Sequence, residues 1–153
     1  MAYEILTANL PASEALAVRS TVPMAELQDF FNRSFLEMAQ LVRNSGAIAV
    51  GPPFVRYYSV TPDSADVETV ITCDKKVEAR GRVRSIHLDA AEAAIVRHVG
   101  RYDKMKPAYE AIRQWMNNNG KHATEAPREV YVTTIAEVPD PSEWVTLVEQ
   151  PIS

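Results

Sequence analysis

Cysteine is almost missing from this chain. Cys73 stands alone among 153 residues, which excludes an internal disulfide framework and a cysteine-based metal cluster. In a strand-like run it reads as a small buried hydrophobe. Glycine is scarce as well, five residues in all, and none sits in a phosphate-cradling loop; Gly46 and Gly51 read as turn residues. No apolar stretch reaches the length of a membrane span, and Met1-Ala-Tyr-Glu-Ile5 lacks the charged start and long apolar run of a signal peptide. There is no excess of positive charge. A net charge of −4 argues against nucleic acid as the main partner, because phosphate binding needs a basic face. The cluster Lys75, Lys76, Arg80, Arg82 and Arg84 is interrupted by Glu78 and reads as a solvated hairpin or linker. No nucleophile elbow occurs, and His87, His98 and His122 lack metal-ligand spacing. These absences leave a cytoplasmic protein with no metal, no cofactor and no membrane partner expected.

What is present is a duplication. Glu14-Ala-Leu-Ala-Val-Arg19 is echoed by Glu92-Ala-Ala-Ile-Val-Arg97, Pro53-Phe-Val-Arg-Tyr57 by Pro127-Arg-Glu-Val-Tyr131, and Val67-Glu-Thr-Val-Ile71 by Trp144-Val-Thr-Leu-Val148. The blocks keep their order, with a helical stretch between the first and second of each set. In the first copy, a β-prone opening over Tyr3–Leu10 and a strand over Ala15–Val22 precede helical spacing of Leu27, Phe31, Phe35, Met38 and Val42, closed near Asn44-Ser-Gly46. Strands over Phe54–Val60 and Asp66–Cys73 follow. The second copy has a strand over Ala91–Val99 and a helix over Lys104–Asn119 with Met105, Ala108, Tyr109, Ile112, Trp115 and Met116 on one stripe. Strands over Arg128–Ile135 and Glu143–Gln150 complete it. The expectation is one α+β domain over residues 1–153, made of two tandem strand–helix–strand–strand modules, about 3–76 and 83–153. They are related by a pseudo-twofold, with an antiparallel sheet and two main helices. A seam between two such copies is a natural place for a cleft.

The informative residues are those where the copies differ, above all Glu129, whose counterpart is Val55. Alternation sends Val130 and Val132 one way, under the helix, and Glu129, Tyr131 and Thr133 the other. Trp144 and Thr146 then fall beside Glu129 and Tyr131, and repeat correspondence puts Tyr57 on an opposite wall. A carboxylate among aromatic faces suits a cation, since the rings attract it and the carboxylate neutralises it. The alternative is a solvated Glu129 with the aromatics in the core. His98, in a strong strand, and Trp115, on the helix stripe, are further candidates for the cleft, although a core role is open for both.

Gly51-Pro-Pro-Phe-Val-Arg-Tyr57, Val96-Arg-His-Val-Gly-Arg-Tyr-Asp103, Ala108-Tyr-Glu-Ala-Ile112 with Trp115, Pro127-Arg-Glu-Val-Tyr131 and Glu143-Trp-Val-Thr146 occur in an order that resembles the gyrase-inhibitor-like domain. That domain is also called the AraC effector-binding domain. The resemblance covers nearly the whole chain and implies a groove at the pseudo-twofold for bulky, lipophilic, often cationic compounds. It implies that Glu129 is the acid of that groove, with Tyr131 and Trp144 as aromatic contacts and Tyr57 as a further one. Family regulators carry a DNA-binding helix-turn-helix for which this sequence offers no room, so the chain is expected to sense or sequester, with no nucleic-acid partner of its own. Some stand-alone relatives hydrolyse cyclopropane-type electrophiles, which would make Glu129 a general base assisted by Tyr131.

Overall fold

The structure, a computed structural model, describes residues 3–133 and 136–153; the end of the expected strand Arg128–Ile135 therefore lies outside the described residues. The elements are β1 (Ile5–Leu10), β2 (Ser13–Pro23), α1 (Leu27–Asn44), β3 (Phe54–Val60), β4 (Ser64–Cys73) and β5 (Arg84–Leu88). They continue with β6 (Ala91–Val99), α2 (Lys106–Asn118), β7 (Arg128–Tyr131) and β8 (Val145–Ile152). This is the α+β arrangement expected, with two main helices and antiparallel strands. The chain forms two compact units, Pro11–Ala90 and Met1–Leu10 with Ala91–Ser153.

In the unit Pro11–Ala90 the strands run β3–β4–β2–β5, all antiparallel. Helix α1 follows a short 3-10 turn over Met24–Glu26 that begins at Pro23, where a fixed φ and a missing N–H cost nothing. It ends at Gly46, with φ +71°. Its buried face carries Phe30, Ser34, Met38 and Val42. The expected stripe is thus rotated, with Leu27, Phe31 and Phe35 only half-buried on its flank. A polar residue occupies the centre because its hydrogen bonds are met: Ser34 Oγ donates to the Phe30 carbonyl at 2.7 Å and accepts from Thr69 Oγ1 at 2.9 Å.

The basic stretch expected to be a solvated hairpin or linker is exposed at its charges, turns back at Arg80↔Val83, and is also partly structural. Arg84 opens β5, which pairs with β2 from Ser13↔Leu88 to Ala17↔Arg84. Arg82 makes two hydrogen bonds to Glu37, at 2.7 and 3.0 Å, and lies over the Phe30 ring. Val77, Val83 and Leu88 are the buried anchors of this segment; a five-residue strand with charges between its apolar positions offers too little alternation to be recognised.

The face of this sheet away from α1 carries a charge network. Arg56 Nε donates to Glu68 Oε1 at 2.7 Å, and the Tyr58 hydroxyl donates to the same oxygen at 2.8 Å. Arg19 pairs with Asp66 through two hydrogen bonds and lies 3.6 Å from the centroid of the Tyr58 ring. Burial, with the hydrogen bond to Glu68, pushes the Tyr58 phenol up to about 12.

In the other unit the order is β1–β6–β8–β7. The opening strand β1 does not join the strand that follows it in sequence; it pairs with β6, from Ile5↔Val96 to Leu10↔Ala91. Helix α2 packs Met105, Ala108 and Ile112 on Ala94, Val96, Val148 and Ile152, with Tyr3, Ile5, Tyr109, Trp115 and Met116 around them. The apolar stripe expected for α2 is the one observed.

On the opposite face of β8, half-buried Glu149 sits opposite Arg128 of β7. Burial raises the Glu149 carboxyl above its ordinary 4.5, more than Arg128 lowers it. A carboxyl raised in the folded state gives stability that is complete below 4.5 and is lost as pH rises through the folded value. Glu149→Gln should therefore gain stability over wild type at pH 7 and lose that advantage near pH 4, read from urea midpoints at the two pH values; a midpoint difference that does not change with pH would contradict this.

Candidate functional site

Strand β7 is short and its alternation places the site. Glu129 lies directly opposite Val148, and Val148 opposite Val96, both in the core under α2. Directly paired residues share a face of the sheet, so Glu129 is on the helix-covered face. This corrects the expectation that Val130 and Val132 lie under the helix with Glu129 pointing away. Val130 pairs with Leu147 on the other face, and Val132 is 45% exposed. Alternation separates two faces without saying which one a helix covers, and here both Glu129 and Val130 are buried.

The carboxylate is held at both oxygens. The Tyr109 hydroxyl, from α2, donates to Glu129 Oε2 at 2.5 Å, and the Tyr131 hydroxyl donates to Oε1 at 3.0 Å. Tyr131 is two residues along the same strand, so it shares the face of Glu129; Tyr109 reaches it from the flank of the α2 stripe. Donors on both oxygens stabilise the anion and fix its plane. Glu129 is only 8% exposed.

An aromatic row adjoins this group. Trp144 stacks on Tyr102 with centroids 4.7 Å apart and planes 30° apart, and Tyr102 meets Tyr131 edge-on at 5.5 Å. Both are preferred aromatic geometries. Trp144 is anchored by its indole N–H, which donates to the Val138 carbonyl at 2.7 Å. Tyr102 lies on a 3-10 turn over Tyr102–Lys104 that follows Gly100. The glycine has φ +135°, a conformation L side chains rarely adopt, and its N–H donates to the Trp144 carbonyl at 2.8 Å. Partial burial raises the Tyr102 phenol, and the charge of Glu129 raises it further.

The other expected residues go elsewhere. His98 shares the row of Thr146 and Tyr131 through strand pairing, but its ring is occupied. Nε2 faces the Arg101 carbonyl at 3.0 Å, which can only accept, so Nε2 carries the proton and the Tyr3 hydroxyl donates to Nδ1 at 2.9 Å. It is a buried structural histidine in this geometry. Trp115 flanks the α2 stripe on the side away from Tyr109 and lines a depression of about 400 Å³ with Tyr3, Ile5, Pro107 and Glu110. Tyr57 belongs to the unit Pro11–Ala90, in β3 opposite Val67. Its neighbour Val55, the counterpart of Glu129, pairs with Thr69, which hydrogen-bonds Ser34 of α1. Val55 thus holds the same helix-covered position that Glu129 holds in the other unit, without the charge. Tyr102 is not among the expected site residues, and Tyr109 is expected on the α2 stripe, in the core or at a pocket rim. The signals for them were the edge position of Tyr109 on the stripe and the turn Gly100-Arg-Tyr-Asp103. Among the described residues, no three His, Cys, Asp or Glu side chains come together as a metal site, and no helix is long and apolar enough to cross a membrane.

All of residues 1–153 match the family described as the GyrI-like small molecule binding domain, and the chain belongs to that family. The C-terminal domain of EcmrR is similar in structure, with a TM-score of 0.88 and 24% identity, over 100% of this chain and 99% of that one. In a complex of EcmrR with DNA the TM-score is 0.90 at 24% identity over 99% of this chain, which spans only 57% of the EcmrR chain. A hydrolase from Listeria innocua has a TM-score of 0.68 at 13% identity, covering 99% of this chain and 93% of that one. SAV2435, solved bound to tetraphenylphosphonium, has a TM-score of 0.64 at 12% identity, covering 100% and 94%. No curated protein matches the sequence significantly.

Proposed function

We propose that this chain is a cytoplasmic binder of bulky lipophilic cations, with Glu129 as the resident countercharge and Tyr131 and Trp144 as the aromatic contacts. The observation that carries this reading is the buried Glu129 carboxylate with a phenol donating to each oxygen beside a row of three rings. A carboxylate this buried is costly without compensation. A cation with diffuse charge and a weak hydration shell offsets that cost and gains from the ring faces. An anion fixed by donors on both oxygens also suits a permanent charge better than a base that must take up a proton in each turnover. The family contributes the coarser part, that the domain binds small molecules.

Tetraphenylphosphonium is the natural first probe. Saturating amounts should raise the melting temperature and change Trp144 emission in a Trp115→Phe background, since Trp144 stands in the aromatic row and Trp115 on the far flank of α2. A probe that shifts neither signal would sink the reading. Mass spectrometry of neutral cyclopropane-bearing electrophiles after incubation tests the hydrolase alternative in the same experiment. A water adduct formed by wild type would replace the binder with an enzyme in which Glu129 is the base and Tyr131 its partner.

A further inference from the structure

Three rings stand in a row beside Glu129, and they are not held alike. Trp144 is tied to the Val138 carbonyl through its indole N–H. Tyr131 is tied to Glu129 through its hydroxyl. Tyr102, the middle ring, makes no hydrogen bond through its hydroxyl among the described residues; only its stacking on Trp144 and its edge contact with Tyr131 keep it in place. Aromatic contacts of this kind are individually weak. The ring is 36% exposed, and it is carried by a three-residue 3-10 turn that starts just beyond Gly100. A ring without a polar anchor, on a short turn next to a glycine, is the part of this site that moves most cheaply. The Tyr102 phenol also lies close enough to Glu129 to be raised by its charge, and its ring meets Tyr131, whose hydroxyl holds that carboxylate.

We propose that Tyr102 is the gate of the Glu129 site: its ring occupies the slot between Trp144 and Tyr131, and an aromatic cation enters by displacing it and stacking in its place. The anchored rings are then the permanent walls, and Tyr102 is a built-in competitor that every ligand must displace. A planar aromatic cation replaces the lost stacking in full, whereas an aliphatic ammonium does not, so the two walls select for aromatic character and Glu129 for charge. This inference rests on the binding reading above and adds the means of admission.

The test is stopped-flow binding of proflavine, a planar aromatic cation, and of tetrabutylammonium, an aliphatic one, to wild type, Tyr102→Ala and Tyr102→Phe. If the ring covers the slot about nine-tenths of the time, removing it should make proflavine bind about tenfold tighter, mainly through faster association. Tyr102→Phe keeps the ring and drops a hydroxyl that bonds nothing, so it should restore slow association. Tetrabutylammonium should gain by the same factor, because both ligands bind only the open slot. Weaker proflavine binding in Tyr102→Ala with unchanged association would make Tyr102 a fixed wall and overturn the gate. A second measurement does not depend on any ligand. In protein labelled with 3-fluorotyrosine, the fluorine resonance of Tyr102 should show exchange between two environments, while those of Tyr109 and Tyr131 show one. Should no cation bind wild type, the binding reading falls and the fluorine spectrum alone decides the gate; a single static environment at Tyr102 overturns it.

Discussion

Glu129→Gln should weaken binding of tetraphenylphosphonium by about 30-fold or more. That follows from a loss of ~2 kcal/mol or more when one partner of a buried charge pair is removed. The substitution keeps the size of the side chain and its carbonyl acceptor, so the fold is expected to survive. One of the Tyr109 and Tyr131 hydroxyls keeps an oxygen to donate to, and the other can turn to accept from the new amide N–H. What disappears is the charge, and with it the reason for a cation to be preferred over a neutral compound of the same shape. The mutant should therefore bind cationic and neutral aromatic ligands with similar affinity, whereas wild type should prefer the cation. Isothermal titration of both proteins with tetraphenylphosphonium and with the neutral analogue tetraphenylmethane, made soluble by a polar substituent, reads this directly. A mutant that binds the cation as tightly as wild type removes Glu129 from the site.

The second large effect concerns stability and lies in the other unit. Glu68→Ala should destabilise the protein by about 3–5 kcal/mol, the usual cost of breaking a buried ion pair from one side. The Arg56 and Glu68 side chains are 12% and 11% exposed, so the pair is shielded from solvent and salt. Removing the carboxylate leaves the Arg56 guanidinium without the oxygen it donates to, and the Tyr58 hydroxyl loses the same acceptor. The pair itself contributes far less, because desolvating two charges offsets most of their attraction. Replacing both at once, with Arg56→Met and Glu68→Leu, should then recover most of the loss. Chemical denaturation of the two variants separates these statements. A Glu68→Ala midpoint close to that of wild type would show that water already solvates this pair.

Both predictions depend on features the sequence shows to very different degrees. Glu129 stands out from the repeat alone, because the other copy has Val55 at its position. Tyr131 follows from alternation, two residues along on the same face. Trp144 belongs to a motif just ahead of the last strand. Tyr109 and Tyr102 are less legible. The hydroxyl of Tyr109 reaches β7 only because α2 packs on the neighbouring strands β6 and β8, and nothing in a helical stripe says which strand its edge residue will meet. Tyr102 occupies a turn, where no periodicity assigns a direction to a side chain. The ion pair of Arg56 and Glu68 is likewise a cross-strand contact, set by the antiparallel register of β3 and β4.

The amino-acid sequence by itself determined the duplication, the two helices, most of the strands and the odd carboxylate among aromatic residues. Those features are local: a 3.6-residue or two-residue period, a proline or glycine at an element's end, and a repeated word in a fixed order. Tertiary structure alone decided that α2 covers the face bearing Glu129, that β1 pairs with β6, and that the basic stretch after β4 supplies the edge strand β5. It also decided that His98 is locked between Tyr3 and Arg101 and that Trp115 looks to the far flank of α2. Each of these is a long-range choice between faces or partners that the local pattern leaves equal. A two-residue period has no sign until a helix packs on one side. A short edge strand has no identity until a neighbour offers its hydrogen bonds.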